Sequence, residues 1–312
     1  MTTPSHTGAW LFGAVLTLAA PALQAETLYR LDAIAPGVYL HTGAHEEPNP
    51  HNRGDIANKG IVIRERCVAV IDSGGSRVDG EALLAAVRKL TARPVCYVIN
   101  THMHPDHVFG NSAFAALKPR PTFVADTRLP SALAQRASTY LARLGELLGE
   151  AAAGTEPVPP DVVVEDRMSL DLGGRALELR SWPTAHTNND LTVFDPQSGV
   201  LWLGDLLFRE RIPSLDGSIK GWLAVSAQLR SLPATIGVPG HGPAGTDWRD
   251  GLARQDAYLT AVAEQVRAAI AEGKSLSETV SGVPADAGRP WLLAPGYHVR
   301  NLTAAFAELE WE

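Results

Sequence analysis

A cluster of histidines directly after an apolar run is the feature that most constrains this chain. Residues 99–111 read INTHMHPDHVFGN and place three of the 10 histidines, together with an aspartate, within six positions. The apolar segment at residues 95–100 reads as a buried strand that ends at this cluster. Because imidazole and carboxylate groups are usual ligands of zinc, the stretch predicts a strand that delivers metal ligands at its carboxyl end.

The spacing within the cluster indicates two metal ions. His102 and His104 are two residues apart in an extended segment, so their side chains point the same way and can bind one ion. Asp106 and His107 follow a proline that turns the chain, and they can face a second ion. One short segment completes neither coordination shell. The candidates for the missing ligands are placed at or after the ends of other apolar strands, where sites gather in layered α/β folds: His186, Asp205 and His241.

Apolar patterns along the rest of the chain predict alternating strands and helices. Residues 60–75 read as two strands joined by a hairpin with the charged tip RER. Residues 76–94 have helical spacing and lead into the strand at 95–100, so the right-handed crossover rule predicts a parallel pair. Further strands are predicted within 37–43, 168–187, 190–208 and 234–242, and further helices over 129–151 and 248–273.

The charge of the chain argues against two classes of partner. The 312 residues carry a formal net charge of -7 with a pI near 5.8. Nucleic acid or an anionic membrane surface would select a basic face instead. We therefore expect a small-molecule substrate and no nucleic acid, and the sequence carries no signal for a particular oligomeric state.

The N-terminus reads as a secretory signal peptide. Residues 9–20 are nearly continuous apolar sequence, Pro21 interrupts them, and Ala25 is a small residue at a plausible cleavage point. No Lys or Arg precedes the apolar run, and a buried N-terminal helix is the alternative. No segment of the mature chain is long and apolar enough to span a membrane. We expect residues 1–25 to be removed and residues 26–312 to form a single domain in the periplasm or outside the cell.

The two cysteines begin two apolar runs. Cys67 and Cys96 each lie five positions before the end of their run, so the two sulfurs stand level if the runs are neighbouring parallel strands. The prediction is a pair of buried thiols. A disulfide is the alternative that an exported location would allow.

The order of the predicted ligands resembles that of the metallo-beta-lactamase superfamily. HxHxDH is followed by His, then Asp, then His, and VIDSGG at residues 70–75 resembles the strand and turn that precede the first helix of that family. The resemblance extends from residue 37 to about residue 270. It implies the α/β fold of that family, a four-layer αβ/βα sandwich with its metals at one edge of the inner sheets.

The resemblance also implies a role for each ligand. His102, His104 and His186 would form a three-histidine site, and Asp205 would bridge to a second ion bound by Asp106, His107 and His241. Two Zn²⁺ ions are expected, although ligand type leaves other divalent metals open. Zinc lowers the pKa of a bound water, so a metal-bound hydroxide is the expected nucleophile. Asp106 is the expected catalytic residue, which would orient that hydroxide or shuttle its proton.

Departures from known subgroups narrow the expected activity. Diiron relatives carry a carboxylate where His104 stands, and class B beta-lactamases usually carry Cys or Ser where Asp205 stands. Glyoxalase II continues its motif as DHxGG, whereas this chain has DHVFGN. The segments THMHPDHVFGN, AHTNNDLTVFD, LWLGDLLF and DGSIKGW resemble periplasmic zinc hydrolases associated with quinoprotein dehydrogenase systems.

The resemblance implies a hydrolase that acts on an ester, lactone, thioester or amide-type bond. The alternatives are a class B-type beta-lactamase and a non-catalytic metal-binding accessory protein of a dehydrogenase system.

Two loops supply the candidate substrate contacts. His51 and Asn52, with Arg53 beside them, lie in a polar loop that can form a flap over the metals, and a solvated loop is the alternative. Lys220 can attract an anionic group and Trp222 can form an apolar wall. The alternative for that second loop is a turn that caps the following helix.

Overall fold

The computed structural model describes residues 1–2, 29–284 and 287–312. Residues 3–25 of the predicted signal peptide lie outside the described residues. None of the helices in the described ranges combines the length and the apolar composition that a membrane crossing requires.

The described part of the chain forms twelve strands, eight α-helices and one short 3₁₀ helix, Gly149–Ala152. The strands are β1 (Asp32–Ala35), β2 (Val38–His41), β3 (Lys59–Ile63), β4 (Val68–Ile71), β5 (Val95–Ile99), β6 (Thr122–Asp126), β7 (Val162–Val164), β8 (Arg167–Asp171), β9 (Ala176–Ser181), β10 (Leu191–Asp195), β11 (Val200–Phe208) and β12 (Ile236–His241). The helices are α1 (Arg77–Leu90), α2 (Pro105–Val108), α3 (Asn111–Ala115), α4 (Leu129–Leu148), α5 (Ile219–Leu229), α6 (Trp248–Ala271), α7 (Leu276–Ser281) and α8 (Ala294–Leu309).

The first sheet carries the histidine cluster after the end of β5. Its seven strands lie side by side in chain order from β1 to β7. The predicted hairpin is confirmed, because β3 and β4 pair antiparallel with Gly60 opposite Ile71. The predicted parallel pair is also confirmed, with Val70 of β4 opposite Val98 of β5 and α1 between the two strands in the chain. Because β6 and β7 continue the parallel pairing, the carboxyl ends of β4 to β7 meet at one edge.

The second sheet brings two further ligand-bearing strands to an edge. Its five strands lie in the order β12-β11-β10-β9-β8. Neighbours from β8 to β11 pair antiparallel, whereas β11 and β12 pair parallel with Trp202 opposite Val238. A parallel pair needs a crossover connection, and α5 lies in it. The carboxyl ends of β11 and β12 therefore lie at the same edge.

One apolar layer holds the two sheets together. Val62, Ile71 and Ile99 of the first sheet share a buried cluster with Leu179 and Val193 of the second. Burying a side chain of this size contributes about 1.5–3 kcal/mol. The strands contribute continuous apolar runs because helices cover their outer faces as well.

Helices cover the outer face of each sheet. Leu83 and Val87 of α1 pack against the first sheet. Trp222 of α5, Leu259 of α6 and Phe306 of α8 pack against the second sheet. The layers are therefore helix, sheet, sheet and helix, and the predicted four-layer αβ/βα sandwich is confirmed.

The last helix was not predicted from the sequence. Residues 294–309 form α8, whose Leu302 and Leu309 belong to the buried cluster that also contains Leu259 of α6. The segment PGYHVRN at its start carries no clear apolar period, and Pro295 stands in its first turn. Proline is favoured at the first turn of a helix, so it marks the start of α8.

The prediction of two buried thiols was wrong, because Cys67 and Cys96 form a disulfide. The parallel register of β4 and β5 places Val68 opposite Val95, so the cysteines beside them stand with Cα atoms 5.7 Å apart. That separation falls within the usual range for a disulfide. The bond joins residues 29 positions apart and fastens the amino ends of two central strands.

Removal of this disulfide is expected to destabilise the fold. A cross-link over a separation of this size restricts the unfolded chain and contributes about 2–4 kcal/mol. Urea unfolding of the double variant Cys67→Ala, Cys96→Ala should show a free energy of unfolding lower by that amount. The unaltered chain treated with reductant should approach the same midpoint, and an unchanged midpoint in both samples would contradict the prediction.

Candidate metal centre

The predicted ligands come together at the shared edge of the two sheets. His102, His104 and Asp106 follow β5 directly, His241 is the last residue of β12, and His186 lies in the loop between β9 and β10. Asp205 was predicted to follow a strand but lies within β11, where the pairing with β12 is irregular on either side of Gly204. The Asp205 carboxylate faces the histidines at this point.

Four side chains form the first half of the centre. The Nδ1 atom of His104 lies 3.0 Å from Nε2 of His102 and 3.0 Å from Nε2 of His186. Asp205 Oδ2 lies 3.4 Å from Nε2 of His186 and 3.8 Å from Nε2 of His102. Ligands of a tetrahedral zinc ion are separated by about 3.3 Å, so this spacing suits one ion.

Three further side chains form the second half around the same carboxylate. Asp106 Oδ2 lies 3.3 Å from Nε2 of His241 and 3.7 Å from Nε2 of His107. Asp205 lies 3.2 Å from Nε2 of His107 and 3.5 Å from Nε2 of His241. Asp205 therefore stands between two groups of donors, as a bridging ligand would.

Two buried atoms of the centre have no hydrogen-bond partner among the described residues. They are Nε2 of His107 and Oδ1 of Asp205, which face each other without the geometry of a hydrogen bond. A buried polar atom without a partner costs about 1–3 kcal/mol. Nitrogen and carboxylate donors that converge in this way fit a divalent metal, which would satisfy both atoms.

Each histidine is held through the ring nitrogen that faces away from the centre. Nδ1 of His186 lies 2.6 Å from the carbonyl of Ser214, and Nδ1 of His241 lies 2.8 Å from the carbonyl of Ile56. A carbonyl only accepts, so each Nδ1 carries the proton and leaves Nε2 free for a metal. The tertiary structure thus sets the tautomer that metal binding requires.

Asp72 holds the histidine cluster from the end of β4. Its carboxylate accepts hydrogen bonds from the backbone N–H and the hydroxyl of Thr101, both at 2.8 Å. The same carboxylate lies 2.8 Å from Nδ1 of His107. Asp72 belongs to VIDSGG, so the sequence did contain a signal, but its role became visible only in the structure.

Asp216 is a second supporting residue that sequence reasoning missed. Its Oδ2 atom lies 3.0 Å from Nε2 of His104 and also contacts the guanidinium of Arg136 in α4. Burial raises the pKa of Asp216, but its contacts with His104 and Arg136 outweigh burial and lower the pKa to about 2. In the sequence, Asp216 stands in the turn before α5, and no motif marks it for this role.

Burial and the surrounding charges favour neutral imidazoles at His102 and His186 and an ionised carboxylate at Asp205. Burial lowers the pKa of His102 well below its usual range and that of His186 to about 3. Burial raises the pKa of Asp205, but His241 and His107 outweigh it, so the carboxyl pKa lies well below its usual range. For His107, Asp205 and the carboxylates around it outweigh burial and raise the pKa, so metal binding there would displace a proton.

A glycine makes room for the bridging carboxylate. A Cβ atom at Gly240 would stand 1.8 Å from Oδ1 of Asp205 and 2.9 Å from its backbone nitrogen. Only glycine permits β12 to pass this close to β11. The GHG segment therefore combines a ligand, His241, with the space that another ligand needs.

A cavity of about 490 Å³ opens over the centre. This volume is in the range of sites for small molecules. Asp106, His104, Asp205 and His241 form part of its floor. Its other walls come from the loop after β2, from α4, from the segment between β11 and α5, and from α8, with the lining residues Glu47, Pro48, Gly54, Ile56, Tyr140, Leu144, Leu215, Tyr297 and Arg300 among them.

None of the four predicted substrate contacts, His51, Asn52, Lys220 and Trp222, is among the residues that line the cavity. The loop around His51 and Asn52 does line the cavity, but through its other residues, and the Asn52 side chain bonds within the loop. Lys220 points elsewhere and pairs with Glu312 at 3.2 Å. Trp222 is fully buried, with its ring 5.1 Å from that of His186, so it supports a ligand from behind.

Loss of one ligand in the first half of the centre is expected to reduce metal content. His104→Ala removes the atom that lies 3.0 Å from two other donors, so the zinc bound per chain should fall by about one ion. Elemental analysis after zinc reconstitution and gel filtration measures this. His51→Ala, in an exposed histidine, is the matched control and should bind as much zinc as the unaltered chain; equal zinc in the two variants would contradict the ligand assignment.

Asp216→Asn is expected to weaken metal binding without removing a ligand. The change lowers the basicity of His104, and loss of such a supporting carboxylate typically costs 10- to about 100-fold in metal affinity. Competition with a chelator measures the zinc affinity. Asp166→Asn, in an exposed carboxylate, should leave the affinity unchanged, whereas an unchanged affinity in Asp216→Asn would show that this contact does not support the ligand.

Comparison with known proteins agrees with this geometry. A model of the metallo-beta-lactamase superfamily matches residues 53–241 of the chain. A curated linear primary-alkylsulfatase from a Pseudomonas species is 22% identical in an alignment of 209 positions, which covers 55% of this chain and 39% of that protein. The match thus spans less than half the length of that relative.

Solved structures show the same fold. The stereoselective inverting sec-alkylsulfatase Pisa1 from Pseudomonas sp. matches with a TM-score of 0.67 at 20% identity, over 89% of this chain and 50% of that chain. A metallo-beta-lactamase from Pontibacter korlensis matches with a TM-score of 0.60 at 22% identity, over 74% of this chain and 98% of that chain. The family model covers more than half of the chain and the fold agrees, so the chain belongs to the metallo-beta-lactamase superfamily, whose members are mostly hydrolases.

Proposed function

We propose that this protein is an exported dinuclear zinc hydrolase that acts on an ester, lactone, thioester or amide-type bond of a small molecule. The observation that carries the proposal is the arrangement of donors in two groups around Asp205 beneath the cavity. Imidazole and carboxylate donors suit zinc, and two groups of donors suit two ions. A purely structural zinc site would be closed, whereas this centre faces an open cavity.

The residues of the centre have two roles, to hold zinc and to position a water molecule. The two groups of donors would hold zinc, which would supply Lewis acidity and lower the pKa of a water molecule toward neutrality. Asp106 lines the cavity, and its carboxylate can accept a hydrogen bond from that water and hold it for attack. Burial raises the pKa of Asp106, but His107 and His241 outweigh it and lower the pKa, so the carboxylate stays ionised in this role.

Export is part of the proposal, and the disulfide supports it. Disulfides such as that between Cys67 and Cys96 persist mainly in oxidising compartments, including the bacterial periplasm. The apolar run before Ala25 supports the same location. The proposed link to periplasmic quinoprotein dehydrogenase systems rests on the four sequence segments that resemble that group.

Two alternatives remain as outcomes of the test. A class B-type beta-lactamase would share the fold and the location, but Asp205 stands where those enzymes usually carry Cys or Ser. A non-catalytic accessory protein would bind zinc in the same centre without turnover. The similarity to proteins named alkylsulfatases adds sulfate esters to the substrates worth testing.

Zinc-loaded protein is expected to hydrolyse an ester-type bond in a panel of para-nitrophenyl esters, a lactone, a thioester, para-nitrophenyl sulfate and nitrocefin. Chelation should abolish turnover and zinc should restore it. At matched zinc content, Asp106→Asn should lower kcat by about 10²–10⁴-fold, because it removes the group that positions the water. The matched control is Glu146→Gln, in an exposed carboxylate of α4.

The outcomes separate the three functions. Fastest turnover of nitrocefin would favour the beta-lactamase. Full zinc loading without turnover of any substrate would favour the accessory protein. Equal turnover in Asp106→Asn and the unaltered chain would contradict the proposed role of Asp106.

A further inference from the structure

The arginines around the cavity are of two kinds. Four of them line it: Arg136, Arg143, Arg211 and Arg300. Arg136 pairs with Asp216, and Arg143 pairs with Glu146 at 2.8 Å. Among the described residues, no carboxylate oxygen lies within 4.0 Å of a side-chain nitrogen of Arg211 or Arg300. Two of the four arginines therefore form no direct ion pair with a described residue.

The missing ion pair costs more free energy at Arg211 than at Arg300, because Arg211 is buried and Arg300 is exposed. Arg211 is 4% exposed, and burial of an unpaired charge costs several kcal/mol. Within the described residues, the other buried arginines each have a carboxylate. Arg175 bonds to Asp195 at 3.1 Å, and Arg209 bonds to Asp247 at 2.6 Å. Arg211 departs from this pattern at the point where it lines the cavity.

The donors of Arg211 are only partly used. Nη2 donates to the hydroxyl of Tyr297 at 3.0 Å, whereas Nε has no partner. Nη1 lies 3.3 Å from Nδ1 of His241, but that nitrogen already carries the proton donated to Ile56 at 2.8 Å. A protonated nitrogen does not accept, so this contact is not a hydrogen bond when Nε2 of His241 faces the metal. Nη1 of Arg211 therefore remains as a donor for a ligand.

Arg300 reaches the same side of the cavity from α8. It is three residues after Tyr297, so the two side chains share one face of the helix. The guanidinium carbons of Arg211 and Arg300 lie 5.4 Å and 4.9 Å from the centre of the Tyr297 ring. Glu47 also lines the cavity. Burial and the Glu47 carboxylate raise the pKa of Tyr297, but Glu47 forms no ion pair with either arginine within 4.0 Å.

We propose that Arg211 and Arg300, with the hydroxyl of Tyr297, form a subsite for an anionic group of the substrate, a carboxylate or a sulfate. Planar guanidinium groups bind both kinds of oxyanion through paired charge-assisted hydrogen bonds. The subsite lies beside His241, so it would hold the anion next to the second half of the metal centre. This inference names the substrate class and rests on the proposed hydrolase function.

Anion binding itself can be tested without turnover. We expect inorganic sulfate to bind the full-length, metal-depleted protein and to raise its Tm, with acetate as the carboxylate probe and chloride held at constant ionic strength. Arg211→Met and Arg300→Met should each weaken sulfate binding about tenfold or more, since hydrogen bonds to charged groups are the strong ones. Arg143→Met is the matched control, because Arg143 lines the same cavity but is already paired.

Arg300→Met guards against a folding artefact, because Arg300 is exposed and its removal leaves no buried gap. Unaltered sulfate and acetate binding in both variants would overturn the subsite, whether or not the protein is a hydrolase. Equal weakening in Arg143→Met would also overturn it, because the effect would then be one of net charge. If sulfate binds more tightly than acetate, the subsite is one for a sulfate group of the substrate. If acetate binds more tightly, it is one for a carboxylate.

Turnover supplies a second readout. The zinc-loaded protein should hydrolyse an anionic ester, mono-para-nitrophenyl succinate or para-nitrophenyl sulfate, with a higher kcat/KM than the neutral acetate ester. Arg211→Met should reduce this preference about tenfold or more, mainly through KM. Retention of the full preference in Arg211→Met and Arg300→Met would overturn the subsite. Absence of all turnover, with sulfate binding intact, would overturn the hydrolase proposal but not the subsite.

Discussion

The buried carboxylate of Asp205 is the constraint on which the centre depends. Its oxygens lie between 3.2 and 3.8 Å from Nε2 of four histidines that come from three separate parts of the chain. A carboxylate that is 4% exposed is costly unless charge and hydrogen bonds balance it. The donors that surround it are arranged for a cation on each side. The two sheets must therefore meet at one edge, and β12 must pass close to Asp205, which requires Gly240.

The residues around the centre orient the ligands, and one of them, Asp72, does so from an unfavourable backbone conformation. Asp72 adopts a φ of 56°, in the left-handed region that disfavours a side chain by about 1–2 kcal/mol. Its bonds to Thr101 and His107 compensate for that conformation and hold the histidine cluster at the end of β5. Asp216 supports His104 from the other side. Rigid support of this kind holds the ring nitrogens that face the centre in the positions that metal binding requires.

The sequence predicted most of the fold and identified the candidate metal ligands, because both leave local signals. Buried strands are continuous apolar runs, and the cluster at 102–107 is compact enough to recognise without an alignment. The disulfide was not predicted, because the sequence is the same for two thiols and for a disulfide. The register of β4 and β5 decides whether the two cysteines lie close enough to bond. Lys220 and Trp222 have suitable chemistry for a substrate site, but their helix directs one to Glu312 and the other into the core.

By itself, the sequence determined the residue types that can bind metal and the strands that carry them, because hydrophobic period and ligand chemistry are local properties. Only the tertiary structure decided which residues face the cavity. Arg211 and Arg300 are separated by 89 positions, and neither stands in a motif. Their common position depends on the packing of α8 against the second sheet, through contacts such as that of Phe306 with the shared core. Such long-range packing has no local signal, because burial of apolar surface does not specify a partner.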